Sequence, residues 1–534
     1  MKTSPVVQAQ IMVPLPDGVR LAALLVRPQS APAPVVLLRT PYGRMRHLKE
    51  GLGWAQHGFA FIAQDVRGRY ESEGVWSPYT DERSDGAATL HWLAEQPWCD
   101  GRVIVVGGSY AGFAAWAAAL SRHPAVRAAI IAVPAMGSHH TMFDPARVLN
   151  LADHTWWWMT YGDGRTERPG LFEAMQQIQP TILSHLPVID LVDRLWVDLP
   201  GWRERLRHGP DAIPPYAITE EDLTQLTTPV LHLGGWHDPF VAHTLRQWLL
   251  TGSAITPRPQ QTLLVGPWTH TLALNSGTAV GEREYGTAAR LPLGRFQVQW
   301  LRQVLDDAVT PVLPHVRIFM MGENRWQELP TWPPPTAAYS LFAASAGRLI
   351  PTAEALGGAD TFTSDPANPF PSRSLPVDQR DLAERPDAIR YTTAPLTTAL
   401  TWAGTPTVTL YATTDAPGAD WVVRLHEILP DGRMLYLGHG LVDAVRASGG
   451  TFAPNRMQIY HIPLKPQAIT IPAGSRLCLE IASSAFPEYA RNLQTGADRY
   501  TSAEIRVATQ TIHYGEPFPT CLFLPIMPEG GSDG

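Results

Sequence analysis

Three residues of this chain have the types needed to make and activate a nucleophile: Ser109, Asp238 and His270. A serine hydroxyl is a weak nucleophile at neutral pH. An imidazole must take its proton, and a buried carboxylate must fix that imidazole's tautomer and steady its positive charge. Ser109 sits in Gly107-Gly-Ser-Tyr-Ala-Gly112, between four β-branched residues (103–106) and the small-residue run 113–120. The pattern reads as a strand turning sharply into a helix, an elbow that lifts the hydroxyl out of a sheet and aims helix N–H groups at whatever it attacks. One position departs from G-x-S-x-G. Ala111 stands where the second glycine is usual, and Gly112 follows it.

Each of the three has a plainer reading. Ser109 could be only a helix cap, Asp238 could cap the segment after it, and His232 or His237 could replace His270 as base. His237 adjoins Asp238 in sequence, so the two side chains point apart. His139-His140 would suit a metal, but no acid or thiol stands at ligand spacing, so neither metal nor cofactor is expected.

The elements that must position these residues are short apolar runs at 35–38, 58–65, 103–106, 128–134, 229–235 and 261–266. Alternating with helical spacing such as 81–96, they predict a parallel sheet covered on both faces. Ligands bind at the carboxyl ends of such strands, which puts Asp238 and His270 on the same rim as Ser109. The chain order Ser, Asp, His is then the order of an α/β-hydrolase. Residues 11–28 read as a hairpin about Asp17-Gly18. Tyr42 follows the 35–38 strand, with its hydroxyl over the strand's end.

Residues 1–138 and 222–312 are expected to form the α/β-hydrolase domain, interrupted by a tryptophan-rich helical cap over 139–221. From 313 to 534, short alternating segments with Gly and Pro turns predict an all-β jelly roll; 407–412, 421–426 and 475–482 are examples, with a hairpin turn at Asp431-Gly432. The tail 528–534 is expected to fray.

A chain of 534 residues exceeds what one core usually supports, and 45% hydrophobic content is ordinary for a globular protein. The formal net charge of −7 offers no basic stripe to nucleic acid and no basic amphipathic segment to a membrane. Cys99, Cys478 and Cys521 are too far apart for a disulfide framework. The N-terminus has no apolar core of signal-peptide length, and no segment is apolar long enough to span a bilayer, so a cytoplasmic protein is expected.

Several runs now act as a set: Gly107-Gly-Ser-Tyr-Ala-Gly112, the preceding Trp92-Leu-Ala-Glu-Gln-Pro-Trp-Cys-Asp-Gly101, Asp65-Val-Arg-Gly-Arg69, Gly235-Trp-His-Asp238 and Gly266-Pro-Trp-Thr-His270. With Pro430-Asp-Gly-Arg433, Leu479-Glu-Ile-Ala-Ser-Ser484 and Arg491-Asn-Leu-Gln-Thr-Gly496, they resemble the cocaine esterase and X-prolyl dipeptidyl-peptidase family over nearly the whole chain. The resemblance implies a serine hydrolase whose hydrolase domain, helical cap and jelly roll close over one site. It also implies an oxyanion held by a tyrosine hydroxyl and by the N–H after the serine, here Tyr42 and Tyr110.

Substrate choice within such a family turns on charge. Burying a substrate ammonium without a carboxylate partner costs several kcal/mol. Amino-ester hydrolases, as the resemblance has it, carry acids close after the triad aspartate, whereas this chain has Pro239-Phe-Val-Ala242. That favours a neutral, aromatic or branched acyl group lying against Trp236, Phe240 and Trp268, with Trp156 of the cap. The plainer reading is that these aromatics are core, and the cap acids Asp144 and Asp153 could supply the missing charge. The leading expectation is a hydrolase of small-molecule acyl esters, with amides as a further option. An X-prolyl or amino-acid-releasing aminopeptidase is the alternative within enzymes, and a silent carbohydrate- or partner-binding protein the alternative outside them. The oligomeric state stays open, a homodimer among the options.

Overall fold

Buried runs of β-branched residues pair into a ten-stranded sheet in the computed structural model, which describes residues 6–29, 32–274, 277–306 and 313–528. In chain order its strands begin β1 (Val6–Pro14), β2 (Arg20–Pro28), β3 (Ala33–Thr40), β4 (Ala60–Asp65), β5 (Cys99–Gly108), β6 (Val126–Ala132), β7 (Val230–Gly235) and β8 (Gln261–Gly266). In space they run β1-β2-β4-β3-β5-β6-β7-β8. The β1–β2 hairpin is antiparallel, and every neighbouring pair from β4 to β8 is parallel. Strands β4, β7 and β8 are buried along their whole length, as parallel strands covered on both faces must be. The chain passes from β3 out to β4 and returns to β5 on the other side of β3. Residues leaving β3 and β5 therefore border a crevice at the carboxyl edge.

The boundary expected at 312 does not coincide with the end of this sheet. Strand Val316–Met320 pairs parallel with β8, and Arg325–Leu329 pairs antiparallel with it. The open edge of β8 accepts one more strand, and Val316, Ile318, Phe319 and Met320 are fully buried there. Residues 307–312 and the tail 529–534, where a boundary and fraying were expected, lie outside the described residues.

Residues 337–526 build a second, 13-stranded assembly, mostly antiparallel. Strand Thr407–Thr414 alternates buried and half-buried residues along its length, and Asp420–Ile428 pairs with Met434–Asp443 about the Asp431-Gly432 turn. Its core runs into that of the first sheet, with Trp402, Ile469 and Leu479 in one apolar cluster with Val265, Val316 and Phe319. Met321 N–H donates to Ala468 O (3.0 Å) and Thr470 N–H to Met321 O (2.8 Å), which stitches the two units together.

Between them, residues 138–224 carry the helices Ser138–Met142, Leu151–Tyr161, Leu171–Ile178, Pro200–His208 and Glu220–Thr224 and no sheet strand. They pack on a small core that includes Trp158, Met159, Leu191 and Trp202. This helical stretch is tied to the β-rich unit by Leu151 N–H to Glu488 O (2.8 Å), Ala152 N–H to Pro487 O (3.1 Å) and Ala490 N–H to Leu149 O (2.9 Å). Among the described residues no helix is long and apolar enough to cross a membrane.

Candidate active site

Strand β5 ends at Gly108, and the helix Tyr110–Ala119 begins one residue later, so Ser109 makes the whole turn. Its φ of 57° and ψ of −124° are costly for a residue with a side chain, roughly 1–3 kcal/mol. Two backbone bonds hold it there: Ser109 N–H to Ala132 O (3.0 Å) and Phe113 N–H to Ser109 O (3.1 Å). The glycine requirement falls on Gly107, where a Cβ would lie 2.1 Å from Ala111 O. A side chain is accommodated at Ala111 itself, which accounts for the departure from G-x-S-x-G. Gly112 packs closely instead, a Cβ there meeting Pro134 at 3.0 Å.

Asp238 follows β7 and is fully buried. Its Oδ1 accepts from His270 Nδ1 at 2.7 Å. With Nδ1 holding the proton, Nε2 is left as the basic nitrogen. Burial pulls the His270 pKa down, but Asp238's charge and hydrogen bond, and the charge of Asp153, hold it above the usual histidine value. The competing histidines face elsewhere. His237 meets the Tyr285 hydroxyl at 2.5 Å and His232 meets Gln261 Oε1 at 2.9 Å. Burial pushes each down to about 3, so both are neutral at pH 7. His139 and His140 pack ring on ring at 3.9 Å, and the described residues hold no cluster of three or more His, Cys, Asp or Glu suited to a metal.

Burial raises the pKa of the Tyr42 hydroxyl, and the neighbouring Trp157, the Ser109 side chain and the Tyr110 N–H lower it. Trp157 Nε1 donates to the same hydroxyl at 3.3 Å. The loop that carries Tyr42 is clamped by Arg69, a fully buried guanidinium that donates to Pro41 O (2.9 Å) and Tyr161 O (3.1 Å). The Tyr110 side chain points away from the crevice: its hydroxyl donates to Glu82 Oε1 (2.8 Å) and accepts from Tyr79 N–H (2.7 Å), and Trp157 stacks on its ring at 6.1 Å. Among the described residues no hydrogen bond joins Ser109 to His270.

The aromatic residues divide. Phe240 lies edge-on to the His270 ring at 5.4 Å and remains half-buried. Trp156, with Asp153 and Phe172, lines an open pocket in the helical stretch and donates to Glu173 Oε1 at 3.0 Å. Trp236 and Trp268 do not face the acyl region as expected. Both are core, at 1% and 2% exposure, with their indole N–H groups donating to Phe319 O (2.7 Å) and Ala289 O (3.0 Å). Asp144 is likewise structural, its carboxylate accepting from Val148 N–H at 2.8 Å. Asp153 keeps open surface; burial raises its pKa, as does the neighbouring Glu488 carboxylate, while His270 lowers it.

Glu488, Lys465 and Trp157 enter the site without having been singled out from the sequence. The 487–490 segment pairs with 149–152, which brings the Glu488 charge within range of Asp153; its carboxylate accepts from the Ser374 hydroxyl, and burial raises its pKa. Burial lowers the pKa of Lys465, and the nearby charges of Asp238 and Glu488 raise it. None of the three has a local motif. Only the three-tryptophan run 156–158, already notable in the cap, held a signal.

The X-Pro dipeptidyl-peptidase (S15 family) model matches residues 17–272, and the X-Pro dipeptidyl-peptidase C-terminal non-catalytic domain matches 310–522. Cocaine esterase from Rhodococcus sp. (strain MB1 Bresler) is 30% identical, with 98% of each chain covered. Solved structures share the fold. An aminopeptidase from the marine sediment archaeon Thaumarchaeota archaeon has a TM-score of 0.84 at 23% identity, over 99% of this chain and 97% of that one. An alpha-amino acid ester hydrolase has a TM-score of 0.86 at 24% identity, over 98% and 97%. The chain belongs to the cocaine esterase and X-Pro dipeptidyl-peptidase family, serine hydrolases of esters or peptides.

Proposed function

We propose that Ser109, His270 and Asp238 form a catalytic triad that hydrolyses small acyl esters through an acyl-enzyme. The observation that carries this reading is the 2.7 Å bond from His270 Nδ1 to Asp238 Oδ1, on the rim where Ser109 makes its strained turn. His270 Nε2 takes the Ser109 proton as Oγ attacks the carbonyl, then returns it to the leaving alkoxide, and water repeats the cycle on the acyl-serine. The Tyr42 hydroxyl and the Tyr110 N–H hold the oxyanion, donors aimed where charge develops. In this reading the helical stretch is a cap, the β-rich unit is a jelly roll, and Phe240 and Trp156 line the substrate's path.

A second reading has support of its own. Asp153 and Glu488, from the cap and the β-rich unit, could hold a substrate ammonium and make the enzyme an aminopeptidase or amino-ester hydrolase. Rates on p-nitrophenyl acyl esters, set against aminoacyl and X-Pro p-nitroanilides, separate the two. Highest kcat/KM on neutral acyl esters supports the first. A preference for the aminoacyl or X-Pro substrates that collapses in Asp153→Asn and Glu488→Gln establishes the second.

A further inference from the structure

A cavity of about 470 Å³ lies between the helices Ser138–Met142, Leu151–Tyr161 and Pro200–His208 and the loop 76–80. It is distinct from the catalytic cleft, since none of Ser109, Tyr42, Trp157, Asp238 and His270 lines it. Pro78, Thr80 and Trp158 face it, whereas Tyr79 and Trp157 turn their rings toward Tyr110.

The cavity's cation is Arg205. Its Nη1 donates to Ser138 Oγ (2.8 Å) and the Tyr216 hydroxyl, and its Nη2 to Pro78 O (2.7 Å), which commits three of a guanidinium's five N–H donors. It lies over the rings of Trp158 (5.5 Å) and Tyr216 (5.7 Å). No carboxylate pairs with it among the described residues. Asp163, on the same wall, accepts from Gly201 N–H at 3.0 Å; burial raises its pKa, while that bond and the nearby charge of Arg205 lower it, and Glu204 is exposed. Neutral donors would tie the cap to loop 76–80 equally well. A half-buried guanidinium with no carboxylate in direct contact and two N–H donors to spare suits an anion, and its edge matches a carboxylate in shape. Met142, Phe143, Pro214 and Pro215 give the remaining wall an apolar character. The volume falls within the range of small-ligand pockets, about 300–1,000 Å³.

We propose that this cavity is a second ligand site, taking a small carboxylate with an apolar or aromatic body whose oxygens meet the uncommitted N–H donors of Arg205. The probe is sodium benzoate, titrated calorimetrically into enzyme whose cleft is first blocked with a fluorophosphonate. Saturable binding near one equivalent is expected on the blocked enzyme, weakened about tenfold or more in Arg205→Met, as loss of a charge-assisted pair implies. Because Arg205→Met removes three internal bonds, Ile213→Trp serves as the second variant. It fills the mouth at an exposed position, leaves Arg205 intact, and is expected to weaken binding at unchanged Tm. The site is disproved by absence of saturable binding, by binding that vanishes once the cleft is blocked, or by wild-type affinity in either folded variant. Should the fluorophosphonate fail to react, that bears on the triad, and the dependence on Arg205 and Ile213 still decides this site.

Discussion

The indole N–H of Trp157 donates to the hydroxyl oxygen of Tyr42 at 3.3 Å, which leaves the phenol's own proton free for the oxyanion of the proposed mechanism. The helix Leu151–Tyr161 thereby holds a hydroxyl carried by the loop after β3. Tyr42→Phe keeps the ring and deletes that donor, so kcat should fall roughly 10²–10³-fold with KM changed much less. Trp157→Phe removes only the orienting bond and should cost less, about tenfold. Steady-state kinetics and Tm on both variants decide the matter, and an unaltered kcat in Tyr42→Phe removes the tyrosine from the site.

His270 must be neutral to act as base, so activity is present above its pKa and lost as the pH falls through it. Asp238 and Asp153 outweigh burial and hold that pKa above the usual value of about 6.5. The acid limb of kcat/KM should therefore lie above that value. Asp153→Asn deletes a negative charge that favours the imidazolium, so the limb should move to lower pH. A limb that stays put, or rises, would show that Asp153 does not act on His270.

Gly107 and Gly108 adjoin in sequence but differ in tolerance. A Cβ at 107 would lie 2.1 Å from Ala111 O, whereas one at 108 meets nothing closer than Ala132 Cβ at 3.7 Å. Gly107→Ala should abolish folding of the elbow or lower Tm by many degrees, and Gly108→Ala should leave Tm near wild type. Equal Tm values for the two would mean that the elbow's backbone leaves room for a side chain at 107.

Trp268→Phe loses the bond to Ala289 O and part of a ring packed at 2% exposure, so stability should drop by about 1–3 kcal/mol with KM for acyl esters unchanged. Phe240→Ala should do the reverse, altering KM with little change in chemical-denaturation midpoint. Exchange of these two outcomes would return Trp268 to the acyl pocket.

The sheet is legible in the sequence because buried parallel strands are continuous apolar runs. The elbow is legible because a strand that turns within one residue into a helix tolerates only small residues around its serine. Strand Val316–Met320 falls on the far side of the expected boundary because an apolar strand looks alike whichever sheet completes it, and only the open edge of β8 decides. Trp236 and Trp268 show that an aromatic close in sequence to Asp238 or His270 carries no sign of whether it faces cavity or core. Arg69 belongs to a recognisable run, yet its reach to Pro41 O, which braces Tyr42, depends on the fold. The charges of Asp153 and Glu488 come within range of each other because two distant segments form a short ladder, a proximity no local pattern could announce.

Every step of the proposed mechanism depends on Ser109 being the nucleophile. Intact mass after treatment with a fluorophosphonate, followed by peptide mapping, decides this. A single adduct on the peptide carrying Ser109 is expected, with loss of activity in step with labelling and no adduct in Ser109→Ala. An adduct on any other serine, or full labelling of Ser109→Ala, would contradict the assignment.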